Sequence, residues 1–208
     1  MKALFFDTET TGLPNWSAPS EDPSQPRITQ LCAELVDDDT GEVYAGLNTL
    51  IQPDGWTIPE ELEKLTGITN EKARAVGTPM DCALPVFMHL WARCDVRVAH
   101  NESFDMRMVR IELMRHAAFA SAMAPGMVTM PDYWKAGAAF CTQVKSTPIL
   151  KLPPTPKMIA AGRHHHKSVN LAEAYKHFTG KDLDGAHNAA VDVMACKAVY
   201  FAIKALAT

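Results

Sequence analysis

The chain has 208 residues, 47% hydrophobic, 21% charged and 8% aromatic, and its 20 basic and 24 acidic side chains give a net charge of −4. That length and balance predict a single domain over residues 1–208, large enough to fold around its own core, and exclude a fibre or a disordered tail. No apolar run is long enough to span a bilayer, and the apolar start Met1–Phe6 is too short for a signal peptide.

Five cysteines without a Cys-x-x-Cys pair predict buried thiols in a reducing, cytoplasmic setting. The charge is segregated. Residues 1–70 hold 13 acids and three bases, a balance of −10, and the rest holds 17 bases and 11 acids, a balance of +6. The net value runs against the basic footprint of nucleic-acid binding, whereas the segregation fits an acidic site facing a basic rim.

In chain order, Lys2–Phe6 reads as a buried strand that stops at Asp7. Residues 14–26, with four prolines and three serines, read as a mobile surface loop. Ile28–Val36 and Val43–Ile51 read as two further strands around the turn Asp37–Gly41, completing an antiparallel meander. Helical spacing starts near Pro59-Glu60, and a second helix is predicted over Met80–Arg93. Asp95–Ala99 is the fourth strand, and Glu102–Ala117 the helix after it. Residues 118–136 read as an irregular insertion, Ala138–Thr142 as a fifth strand and Leu150–Gly162 as a loop. Ser168–Phe178 and Leu183–Ala207 read as helices. The expected class is α/β: a mixed five-stranded sheet, its first three strands antiparallel, flanked by helices.

Three clusters carry candidate chemistry. In Asp7-Thr8-Glu9-Thr10-Thr11-Gly12, strand alternation puts Asp7 and Glu9 on one side, where two carboxylates suit a divalent cation. Taken alone, it reads sooner as acids meeting water at a strand end. In His100-Asn101-Glu102-Ser103-Phe104-Asp105, Asp105 falls in a helical first turn, which is also ordinary helix-start chemistry. In His187-Asn188-Ala189-Ala190-Val191-Asp192, a histidine, the side chain whose ordinary pKa lies near neutrality, precedes a further carboxylate. Alone, that cluster reads sooner as a solvated helix face.

The order of the three clusters resembles the DEDDh 3′-to-5′ exonucleases of the ribonuclease-H-like fold, and the resemblance extends through Ile58-Pro59 to Thr69. It implies that Asp7, Glu9, Asp105 and Asp192 hold two divalent cations, Mg²⁺ or Mn²⁺, and that His187 is the general base. It implies further that the main chain around Thr10 and Thr11 holds the terminal 3′-hydroxyl, with Gly12 a further substrate-binding position. Leu13 and Phe104 would pack on the last base, and Asn101 is a further substrate-binding position. The implied activity is hydrolysis of single-stranded DNA from its 3′ end to nucleoside 5′-monophosphates. An RNA substrate is the first competitor, and an inert nucleic-acid-binding module the second.

One departure concerns Thr66, which stands where relatives commonly carry a histidine before Gly67-Ile68-Thr69. The run Arg163-His164-His165-His166-Lys167 reads as a basic surface loop, since adjacent histidines point apart and suit zinc poorly. Arg163 and Lys167 are candidate contacts to a phosphate backbone. The expected partner is nucleic acid with a free 3′ end, with a polymerase or repair protein as a second partner class and no membrane. Little beyond the last helix follows Asp192, which favours a stand-alone enzyme.

Overall fold

Lys2–Thr10 forms the central strand, β1, and its apolar residues are covered from both faces of the sheet. Antiparallel to it lies β2 (Ile28–Asp37), and antiparallel to β2 lies β3 (Val43–Leu50). On the other edge β4 (Val96–Ala99) and β5 (Ala138–Cys141) run parallel to β1. The order is β3-β2-β1-β4-β5, the mixed sheet expected. The computed structural model describes residues 1–116 and 137–206. The insertion expected at 118–136 lies outside the described residues, as does the predicted end of the helix at Ala117.

Helices α1 (Glu60–Thr66), α2 (Asn70–Val76) and α3 (Met80–Trp91) lie between β3 and β4 in sequence, and α4 (Glu102–Arg115) follows β4. After β5 come α5 (Thr142–Leu150), α6 (Pro156–Ala160), α7 (Leu171–Thr179) and α8 (Ala189–Ala205). Alternation along β1 sorts the core in two. Leu4 and Phe6 pack with Phe87 and Trp91 of α3 and Met108 of α4. Ala3 and Phe5 pack with Val193, Cys196 and Tyr200 of α8. The ring centroids of Phe6 and Phe87 are 5.7 Å apart and those of Phe5 and Tyr200 5.2 Å, both edge-on. The same parity sends Asp7 and Glu9 to the α8 face and Thr8 to the α4 face.

Several boundaries differ from expectation. Strand β1 continues past Phe6, pairing Asp7 with Cys32 and Glu9 with Gln30 before a bulge at Glu9/Thr10. Helices α2, α5 and α6 were not expected. Prolines obscured the last two: Pro148 lies inside α5, and Pro156 opens α6, capped by Thr155. Helices α7 and α8 start later than predicted because Asn170 and Asn188 cap them. Asn170 forms a reciprocal capping box with Glu173.

The segment at 14–26 is the main correction. It is a surface loop but not a loose one, because long-range hydrogen bonds brace it. Buried Gln25 accepts from Asn15 N–H at 3.0 Å and donates to the carbonyls of Asn15 at 2.9 Å and Pro19 at 3.0 Å. From α4, Arg107 donates to Ala18 O at 2.6 Å and Arg115 to Pro26 O at 2.7 Å and to Gln25 O.

Candidate functional site

β1 delivers Asp7 and Glu9 toward the N-terminal end of α8, where Asp192 stands in the first turn. One carboxylate oxygen from each of Asp7, Glu9 and Asp192 lies within 4.8 Å of the others. Asp105 arrives from the first turn of α4. It accepts from Thr8 twice, from the backbone N–H at 2.9 Å and the hydroxyl at 2.8 Å. His187 precedes α8 in a left-handed conformation, φ 67°, and donates its backbone N–H to Asp192 Oδ2 at 3.2 Å. The structure therefore brings together all five residues singled out for catalysis, around one cleft.

That cleft has a volume of about 350 Å³, within the range of sites that take small molecules. Thr10, Gly12 and Leu13 line it from the strand exit, and Phe104 from α4. Leu13 is 83% exposed. Thr11 turns its hydroxyl away, accepting from Arg27 N–H at 2.8 Å. Asn101 sits exposed at the N-cap of α4, φ 69°, outside the lining. Leu62, Leu65 and Thr66 of α1 form an opposite wall. The Thr66 hydroxyl is already engaged, donating to Leu62 O at 2.8 Å and accepting from Ile68 N–H at 3.2 Å.

Two residues that hold the site were missed. Gln30 of β2 accepts from Ala189 N–H at 3.1 Å, fixing the start of α8 to the sheet. His100 lines the cleft, with Nδ1 2.9 Å from Thr142 Oγ1 and Nε2 3.0 Å from Val169 O. A carbonyl only accepts, so Nε2 carries a proton. Burial lowers the His100 pKa, which favours the neutral ring. Its position directly after an apolar strand, at the head of the second cluster, was the available signal.

The electrostatics are those of negative charge gathered without a counterion. Burial, then repulsion from Asp105, Asp192 and Glu9, pushes the Asp7 pKa far above the carboxylate range. Burial and Asp192 raise Glu9 to about 7. Burial raises Asp105 against the two hydrogen bonds from Thr8, which pull it down. Asp192 is raised by burial, and its Oδ1 is buried with no hydrogen-bond partner. Among the described residues the lining contains no lysine or arginine. Hard carboxylate oxygens, an orphaned one among them, fit a divalent cation such as Mg²⁺ or Mn²⁺ better than zinc, which favours nitrogen and sulfur.

The basic loop lies elsewhere. Arg163 and His164 to His166 are exposed, whereas Lys167 is paired with Glu173. Among the described residues no group of histidines forms a metal cluster. None of the helices described is long and apolar enough to cross a membrane.

Comparison with known proteins places this geometry. The family model described as Exonuclease (RNase_T) matches residues 4–200. The chain is 28% identical over 195 residues to the DNA polymerase III subunit epsilon of Treponema pallidum (strain Nichols), covering 94% of this chain and 73% of that protein. Its fold is similar to the zinc-bound E. coli ExoI–ssDNA complex (TM-score 0.69, 19% identity, 98% of this chain). It is also similar to E. coli Exonuclease I with a dT13 oligonucleotide (TM-score 0.66, 20% identity, 98% of this chain). The chain spans 40% and 41% of the length of those two structures.

Proposed function

Because the chain belongs to the exonuclease family, and within it to the DEDDh 3′-to-5′ type, we propose that it degrades single-stranded DNA from the 3′ end, releasing nucleoside 5′-monophosphates. The observation that carries this reading is the convergence of Asp7, Glu9 and Asp192 within 4.8 Å, with one buried oxygen of Asp192 unpartnered. Asp7, Glu9, Asp105 and Asp192 would hold two Mg²⁺ or Mn²⁺ ions. When bound, such ions offset the charge of the phosphodiester and make water a better nucleophile at neutral pH.

The protein's own groups do the rest. His187 takes the proton of the attacking water on a ring nitrogen, a role worth about 10²–10⁴-fold in rate. Its left-handed backbone and its N–H bond to Asp192 set where that ring stands. Thr8 keeps Asp105 oriented and favours its charged form. Thr10 and Gly12 border the place of the terminal sugar, and Leu13 and Phe104 offer apolar surface to the terminal base.

A DNA substrate is supported by the likeness to a DNA polymerase III subunit and to exonuclease structures holding single-stranded DNA. The same likeness supports a polymerase or repair protein as partner. A digest of matched single-stranded DNA and RNA tests the substrate, and equal or greater RNA turnover would reverse the choice. Nuclease activity retained by Asp7→Ala at saturating Mg²⁺ would sink the site assignment.

A further inference from the structure

Between β1 and β2 the chain makes a closed strap. Thr11 N–H donates to Arg27 O at 2.8 Å, and Arg27 N–H returns to the Thr11 hydroxyl at 2.8 Å. Gln25 fills the inside of the strap, and Arg107 and Arg115 clamp it to α4. The bracing is densest around Trp16. Asn15 has its N–H, its carbonyl and its side-chain oxygen all hydrogen-bonded, the last to Ser17 N–H at 3.0 Å.

Trp16 itself is 60% exposed. None of the ring or cation–π contacts among the described residues involves it. A large apolar ring is thus held at the surface on fixed backbone, three residues from Leu13, which lines the cleft. The strap's own charged residues between Gly12 and Pro26 are Glu21 and Asp22, and the two guanidinium groups beneath it point inward at carbonyls. Among the described residues, the strap between Gly12 and Pro26 offers phosphate no cation of its own. What the rim offers a nucleic acid is a π-face, and every base can stack on one.

We propose that Trp16 is a stacking platform for a base of the substrate strand immediately upstream of the nucleotide in the cleft, making the strap a second nucleobase subsite. The proposal rests on the reading of the cleft as the site of a 3′-terminal nucleotide. Because the backbone around the indole is already ordered, stacking there needs little further loss of conformational freedom.

The test is binding of a 5′-labelled oligothymidylate, followed by fluorescence anisotropy in an Asp7→Asn background that blocks cleavage. Trp16→Ala should weaken binding about tenfold, the size of one base–aromatic stack, and Trp16→Phe should keep most of the affinity. A single abasic site is then moved through the last four nucleotides. At the contacted position, affinity with Trp16 present should fall to the Trp16→Ala level, and Trp16→Ala should lose nothing more. Equal affinities for the intact strand, or a Trp16→Ala loss undiminished at every abasic position, would overturn the proposal. Failure of the Asp7→Asn protein to bind any of these strands would instead overturn the cleft reading beneath it. The abasic comparison is internal to each variant, so it holds whatever that variant's stability.

Discussion

Thr8 gives both its backbone N–H and its hydroxyl to a single oxygen of Asp105, at 2.9 and 2.8 Å. This pair joins β1 to α4 at the cleft and opposes, without cancelling, the burial that raises the Asp105 pKa to about 8. Donors to a carboxylate favour its ionised form, so removing one raises the pKa. Thr8→Val keeps the shape and the N–H but loses the hydroxyl. The acid limb of the pH–rate profile should move to higher pH, with activity near neutrality down about tenfold, the size of one hydrogen bond to a charged group. Little should change on the alkaline side. An unmoved acid limb would show that Asp105 does not set it.

The raised carboxyls also predict how stability depends on pH and on cations. A carboxyl with a higher pKa in the folded than in the unfolded chain stabilises the fold at low pH, and that contribution is lost as pH rises through the folded value. For Glu9 the window runs from about 4.3, its unfolded value, to about 7. Asp7, Asp105 and Asp192 are shifted in the same direction. In chelator, the melting midpoint should therefore fall across this window. Mg²⁺ should restore it more at the alkaline end than at the acid end, one ion at a hundredfold excess over its Kd adding about 2.7 kcal/mol of stability. Asp7→Asn should raise the chelator midpoint at alkaline pH and blunt the response to Mg²⁺. Calorimetry across the window checks both, and an Mg²⁺ effect larger at the acid end would contradict the cluster's charge state.

His187 is placed by backbone geometry rather than by its ring, with φ 67° and its N–H on Asp192. His187→Ala can keep that N–H while removing the imidazole, the proposed base. The maximal rate at saturating Mg²⁺ should fall about 10²–10⁴-fold, while the Mg²⁺ concentration for half-activation shifts far less. A loss that extra Mg²⁺ repairs would make His187 a metal-site residue instead.

Much of this site was legible because its signals are local. Alternation along β1 places Asp7 and Glu9 on one side, and the clusters at Asp105 and Asp192 fall at helix starts. What the sequence hid depends on contacts distant along the chain. The 14–26 segment reads as loose from its prolines and serines, yet Arg107 and Arg115, 89 residues from their carbonyl partners Ala18 and Pro26, hold it. Gln30 supports the start of α8 from 159 residues away, with no motif to announce it. Helix α6 was missed because Pro153, Pro154 and Pro156 crowd its start and read together as a loop, although Pro156 stands at a first helical position, where proline is favoured.

The most buried of these distant supports is Glu112, 1% exposed on α4. Its Oε1 accepts from Arg27 Nε at 3.1 Å, Ile28 N–H at 3.2 Å and Arg115 Nη1 at 3.2 Å. It thus ties the end of the strap and the start of β2 to the helix that carries Asp105. Glu112→Ala would take the carboxylate partner from the Arg27 and Arg115 guanidinium groups and leave the Ile28 N–H without its acceptor. Breaking a buried charge pair from one side costs about 3–5 kcal/mol, and urea unfolding should show a loss of that order. Glu112→Gln, which keeps an acceptor oxygen but no charge, should lose less. Limited proteolysis should then cut the strap between Trp16 and Arg27 faster in Glu112→Ala than in the parent. Equal cutting at equal stability would show that Gln25 and Arg107 hold the strap unaided.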